Sequence, residues 1–202
     1  PDYTEHHLQV LWGATHMLPP LAILHWPWSW WRNDYGPSQL NWMNVDIETF
    51  DVMMRAAMVH RIGVSYPLPK LPERLRERLS YHLQIFKDHI APVLPTATLL
   101  SLTDSPFRGN RGERNSAWQL TSNLNSVNEV HLVISLKLEN SAQSAKFRPT
   151  QLEANQRYVV VDLETHNSST VLGKELTGEL LSEIAGNKNS WIVEIRPEKA
   201  RL

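Results

Sequence analysis

The hydrophobic pattern of this chain changes its period once, near residue 95, and that change limits the folds open to it. Before it, residues 73–90 carry Leu75, Leu79, Leu83, Phe86 and Ile90 at helical spacing, with Pro72 well placed at a helix start. After Pro92 and Pro95, residues 130–138 set Val130, Leu132, Ile134, Leu136 and Leu138 on one side and His131, Ser135 and Lys137 on the other. That is the period of two expected of a strand. Two periods in separate blocks predict two kinds of structure, and the chain divides into residues 1–94 and 95–202.

In the first block, residues 8–12 form a short apolar run closed by Gly13 and read as a buried strand. A long aromatic loop follows, punctuated by Pro19-Pro20, Pro27, Gly36 and Pro37. Residues 46–60 return to helical spacing through Ile47, Phe50, Met54 and Met58, with Asp46 as N-cap and Glu48 in the first turn. Residues 61–67 read as a short strand that ends at Pro67. Strand, helix, strand, helix is the rhythm of βα units and a parallel sheet, and two such units leave the sheet unclosed. In the second block, further strands are expected at residues 99–102, 117–120, 158–163 and 191–195, with turns at 108–112 and 166–169. Short alternating strands separated by polar turns argue an antiparallel β-sandwich.

The remaining composition narrows the partners. With 42% hydrophobic and 20% charged residues the chain is globular in character. A net charge of -1 without a Lys/Arg tract gives no reason to expect nucleic acid or an anionic membrane as partner. Cysteine is absent, so disulfides and thiolate chemistry are excluded, which suits a reducing cytoplasm. No apolar run is long enough to span a bilayer and no leader is visible. The opening Pro1-Asp2-Tyr3-Thr4-Glu5-His6-His7 reads as a chain entered midway.

Six of the eight tryptophans precede residue 43: Trp12, Trp26, Trp28, Trp30, Trp31 and Trp42. Indole offers a flat apolar face with one N–H donor at its edge, the surface on which the C–H face of a sugar ring stacks. Tryptophan is equally the preferred anchor of protein interfaces, so a buried seam against another domain is the competing reading. His16 has the same ambiguity: a donor to a sugar hydroxyl, or a histidine bonded to a nearby backbone carbonyl. Asp34 reads as a turn former. Asp46, Glu48 and Asp51 are the one tight acidic group, and helix capping accounts for the first two. The pairings His6-His7 with His16, and His25 with His60, match no established zinc spacing, and no phosphate loop or nucleophile elbow is present, so no metal or cofactor is expected.

Three segments together resemble one family. Trp12-Gly13-Ala14-Thr15-His16-Met17-Leu18-Pro19-Pro20 resembles the Gly-Ala-Ser-His-like strand end of the α-galactosidases of glycoside hydrolase family 36. Residues 74–94, with Tyr81-His82-Leu83-Gln84-Ile85-Phe86-Lys87, resemble that family's last barrel helix and its aromatic-Lys pair. Residues 99–103, Phe147-Arg148-Pro149, residues 158–162 and Gly173-Lys174-Glu175-Leu176 resemble its C-terminal β-domain, in the expected order.

The resemblance implies α/β plus all-β architecture: the last βα units of a (β/α)8 barrel over residues 1–94, then the β-sandwich over 95–202. It implies a retaining exo-α-galactosidase acting through two carboxylates roughly 5–5.5 Å apart. Both are expected upstream of this chain, so no catalytic residue is assigned here. Trp12 and His16, at a strand's C-terminal end, and Trp28, Trp30 and Trp31, in the loop beyond, are the expected substrate-binding residues. A galactoside, the N-terminal portion of the same enzyme and a further copy of the chain are the expected partners. Two other readings stay open: a carbohydrate-binding module that stacks sugar on the Trp run, and a non-catalytic assembly subunit that uses it as an interface.

Overall fold

The computed structural model describes residues 2–25, 45–64, 68–106, 114–137 and 146–199, with side chains from residue 8 onward. Helix α1 spans Asp2–Thr15. The segment 8–12 is therefore helical and not the strand that its apolar run suggests. Leu8 and Leu11 are fully buried whereas Val10 between them is half exposed, which is the i, i+3 pattern of a helix seated by one face. A run this short does not separate strand from buried helix by composition, and here the tertiary contact decides. Gly13 does not end the helix, which continues through Ala14 to Thr15.

Strand β1 (Leu24–His25) pairs in parallel with β2 (Arg61–Ile62). Arg61 N–H donates to the Ile23 carbonyl at 3.2 Å and Gly63 N–H to the His25 carbonyl at 2.8 Å. Among the described residues the parallel half is limited to this pair; the remaining strands of a barrel are not among them. Between the two strands lies α2 (Ile47–Ala57), started by Asp46, whose carboxylate accepts Thr49 N–H at 2.7 Å and Thr49 Oγ1–H at 2.9 Å. From Phe50 to Ala57 every side chain of α2 is buried. A helix apolar on most of its circumference belongs inside a fold, and α2 is the middle layer of this one.

Helix α3 (Glu73–Ile85) continues into one wide turn, Phe86–Ile90, closed by Ala91 N–H donating to the Phe86 carbonyl at 2.8 Å. Its inward stripe is Leu75, Leu79, His82, Ile85 and Ile90, close to the stripe expected. Pro72 stands just outside as the cap residue.

The second block folds as one six-stranded antiparallel sheet: β3 (Thr98–Ser101), β4 (Asn115–Ser122), β5 (Val130–Lys137), β6 (Arg157–Asp162), β7 (Ser168–Leu172) and β8 (Ser190–Pro197). Their order across the sheet is β3-β4-β5-β8-β6-β7. Strand β7 covers residues that the sequence presents as a turn; it is a half-exposed edge strand of Ser, Ser, Thr, Val and Leu, too polar to announce itself. The turn lies just before it, where Asp162 accepts Thr165 N–H and Oγ1–H at 2.7 Å each and His166 adopts φ 59°.

Both faces of the sheet are buried. Trp118, Leu120, Leu132, Ile134, Leu136 and Ile192 pack against α1, α2 and α3 in one cluster that crosses residue 95 without a break. The opposite face, with Val133, Tyr158, Val160 and Val193, is covered by Phe147, Leu176 and helix α4 (Gly178–Ile184). Helices and loops therefore serve as the outer layers, and among the described residues all six strands lie in a single sheet. Gly173 marks a close approach: a Cβ there would stand 2.3 Å from the Glu153 carbonyl oxygen.

Phe50 is fully buried in the shared cluster. Truncating it to Ala should destabilise the chain by about 3–5 kcal/mol. Far-ultraviolet circular dichroism and tryptophan fluorescence should then report one shared transition at lower denaturant. Two separated transitions would show instead that the two blocks fold independently.

Candidate functional site

In parallel α/β architecture, chemistry gathers at the C-terminal ends of strands. Here those ends are His25 on β1 and Ile62-Gly63 on β2. His25 is buried, and its carbonyl receives Gly63 N–H. The sequence singles out His25 only with His60, as a metal pair, and draws attention to the tryptophans beyond it. Trp28, Trp30 and Trp31, with Trp26, Asp34 and Trp42, lie outside the described residues.

Trp12 and His16 are at the end of α1, not at a strand end. The half-buried Trp12 indole donates to the Thr103 carbonyl at 3.3 Å and ties the helix to the segment after β3. His16 Nδ1–H donates to the Trp12 carbonyl at 2.7 Å, and the two rings meet at a tilt of 49° with centroids 4.3 Å apart. His16 is exposed. Among the described residues no group of three His, Asp or Glu side chains is arranged to hold a metal ion.

The densest chemistry lies between α2, α3 and the sheet. Arg78 on α3 makes a fork to Asp51 on α2, both contacts 2.5 Å, and reaches Glu164 on the β6–β7 turn, also at 2.5 Å. Arg55 on α2 donates to Glu164 at 2.6 Å and to the carbonyl and hydroxyl oxygens of Ser190 at 2.7 and 2.6 Å. Lys188 adds a third cation on Glu164 at 2.8 Å. His82 Nε2–H donates to Asp51 at 2.7 Å, while its Nδ1 has no partner among the described residues. The Arg78 guanidinium also lies over the Tyr81 ring, 4.6 Å from its centroid.

Two carboxylates thus meet three cations, and their protonation follows. Burial would raise the Asp51 carboxyl, but the His82 N–H, the Arg78 fork and the Arg55 charge hold it down at about 2. Glu164 is likewise opposed by burial and held at about 2 by Lys188, Arg55 and Arg78. Burial pushes His82 below its ordinary value against the pull of Asp51. It pushes the Tyr81 hydroxyl up to about 12. Both carboxylates are ionised at neutral pH and engaged by arginine, so neither is a proton donor or a free nucleophile. Arg78 occupies the space between them that a substrate would need.

The three acidic residues singled out in the sequence have structural partners. Asp46 caps α2, Glu48 accepts from Asn189 Nδ2–H, and Asp51 belongs to the ion network. The network's other members escape sequence reading because they come from four separate segments. One sign was present: Arg55 interrupts the apolar run Val52-Met53-Met54-Arg55-Ala56-Ala57, four residues after Asp51, where a charge needs a buried partner.

No protein-family model matches the chain, and no curated protein matches it in sequence. Solved structures do. The chain is similar to the galactosidase domain of an alpha-galactosidase-sucrose kinase, AgaSK, with a TM-score of 0.67 at 13% identity, over 98% of this chain and 25% of that one. It is similar to the GH36 alpha-galactosidase AgaA from Geobacillus stearothermophilus, with a TM-score of 0.62 at 16% identity, and to AgaB from the same organism, with 0.59 at 13%; both matches again cover 98% of this chain and 25% of that one. The chain has the fold of the C-terminal portion of these GH36 enzymes and spans about a quarter of their length.

The buried titrating groups set an acid limit on this fold. His60 is fully buried, neither ring nitrogen is hydrogen-bonded among the described residues, and burial lowers it from 6.5 to about 4. Between those values the unfolded chain binds a proton that the folded chain does not, so stability falls as pH drops from 6.5 to 4. Asp51 and Glu164, held at about 2 against ordinary values of 3.8 and 4.5, extend the fall from about pH 4.5 down to 2. Urea midpoints measured against pH should show both arms. His60→Gln should flatten the upper arm by about 3 kcal/mol at most and leave the lower one in place.

Proposed function

We propose that this chain is the C-terminal portion of a retaining exo-α-galactosidase that hydrolyses terminal α-linked galactosides. The observation that carries the reading is the fold match along 98% of the chain to solved α-galactosidases. One of these, AgaA, has been solved with stachyose. In this reading residues 1–94 end a catalytic (β/α)8 barrel and residues 95–202 form the β-domain. The two reacting carboxylates are supplied by polypeptide upstream of Pro1, and the chain alone turns over nothing. The ionised, arginine-bound state of Asp51 and Glu164 supports this, because it leaves neither free to act.

The open side of the parallel pair supports it too. Val10, Met17, Leu18, Leu21 and Leu24 are exposed along α1 and into β1, and Met17 is 81% exposed. Among the described residues β1 pairs only with β2. An apolar strip beside an open strand edge is a surface for further strands and helices. In this reading Trp12, His16, Trp28, Trp30 and Trp31 are the substrate-binding residues. On the same reading the enzyme is a homo-oligomer of the cytoplasm.

The test is an assay of the protein with its upstream sequence on a chromogenic α-galactoside. Turnover is expected, and Trp28→Ala or Trp30→Ala should raise KM about tenfold, the worth of one aromatic stacking contact. No turnover of any α-galactoside or α-N-acetylgalactosaminide would overturn the reading. Cooperative melting and galactose binding by the 202-residue chain alone would favour a carbohydrate-binding module. A change of oligomer size in the Trp variants with unchanged KM would favour an assembly subunit.

A further inference from the structure

The boundary between the helical layer and the sheet is apolar over most of its area. The α2 residues Phe50, Met53 and Met54 share one cluster with Trp118, Ile134 and Ile192 of the sheet. Apolar contact is non-directional and tolerates shifts when volume is kept. The directional contacts of α2 with the sheet side are Arg55 to Glu164 and to Ser190 and Glu48 to Asn189, and Arg78 of α3 joins them at Glu164; the other helical segments are tied elsewhere, Trp12 to Thr103 and His89 to Glu194. Arginine forks fix both distance and plane, which an apolar surface does not.

The helix so held is connected directly to the parallel pair. Only Met58, Val59 and His60 separate α2 from β2, and Met58, Val59 and His60 are all fully buried. A rotation of α2 on the sheet therefore carries β2, and through the Gly63–His25 bond it carries β1.

We infer that the Asp51–Arg78–Glu164–Arg55 network is a positioning device. It sets the orientation of α2, and through it the β1–β2 rim, against the β-sheet. Glu164, on a turn of the sheet, is then a positioning residue for the site proposed above; that last assignment rests on the proposed function, whereas the device itself does not. A buried ion network is a weak source of net stability, since apolar replacements of like volume are often neutral, but its directional bonds select one packing. Asp51 keeps the device closed on the helix side, holding α3 to α2 through Arg78 and His82.

Amide hydrogen exchange on the full chain at pH 7 tests the device without any galactoside. In Glu164→Gln, the amides of α2, Arg61 and Gly63 should exchange about tenfold faster or more relative to those of β4 and β5, the loss of a charged hydrogen bond being felt locally. Arg55→Lys, which keeps the buried charge but not the fork, should show the same selective loss and serves if Glu164→Gln does not fold. Lys188→Met removes the outermost cation on Glu164 and should leave the α2 and β2 amides unchanged. Uniform acceleration across sheet and helices would show a merely stabilising network and overturn the inference. So would unchanged exchange in Arg55→Lys, or a Lys188→Met effect equal to that of Glu164→Gln. Absence of galactosidase turnover in the complete protein would sink the proposed function and leave this result standing.

Discussion

Arg78 reaches from α3 to Asp51 on α2 and to Glu164 on the β6–β7 turn, and Arg55 joins the same Glu164 to Ser190 at the head of β8. Two arginines thus bind three layers at one buried corner. Such an arrangement holds together only when complete. Removing one carboxylate leaves both guanidinium groups to share the other in a largely buried place, and burial then works against the charges that remain. The low values of Asp51 and Glu164 express the same balance, with burial opposing the charges and the cations prevailing.

The apolar core and the ion corner do different work. Fully buried Phe50, Met54, Trp118 and Ile134 supply most of the drive to collapse. Because that cluster runs across residue 95, the helical and sheet blocks share one interior although their sequence periods differ. The corner supplies the orientation that an apolar seam leaves loose. The C-terminal end of the parallel pair is joined to α2 by the short buried link from Met58 to His60.

Much of the fold was legible in particular residues. Asp46 with Glu48 announced the start of α2, the stripe of Leu75, Leu79 and Ile90 announced α3, and the alternation through Val130, Leu132 and Ile134 announced β5. Two elements were not. Residues 8–12 looked like a strand because five residues are too few to separate periods of 2 and 3.6, and only the burial of Leu8 and Leu11 with Val10 outward separates them. Strand β7 looked like a turn because an edge strand buries little and its Ser-Ser-Thr run carries no apolar alternation. Of the candidate site, Trp12 and His16 were visible as residue types, but their roles depend on α1, whose carbonyl at Trp12 and neighbour at Thr103 satisfy both donors.

By itself the sequence determined the change of hydrophobic period near residue 95, the helices and strands with strong periodicity, the absence of thiol chemistry, and the concentration of indole before residue 43. Those follow from local pattern and composition, which need no partner to be read. Tertiary structure decided the helical state of residues 8–12, the helical layers that cover the sheet, and the meeting of Asp51, Arg55, Arg78, His82, Glu164 and Lys188. The reason is distance along the chain: Arg55 and Glu164 stand 109 residues apart and Arg55 and Ser190 135 apart. Nothing in a local window tells a buried arginine which distant carboxylate will neutralise it until the sheet and the helices have been brought face to face.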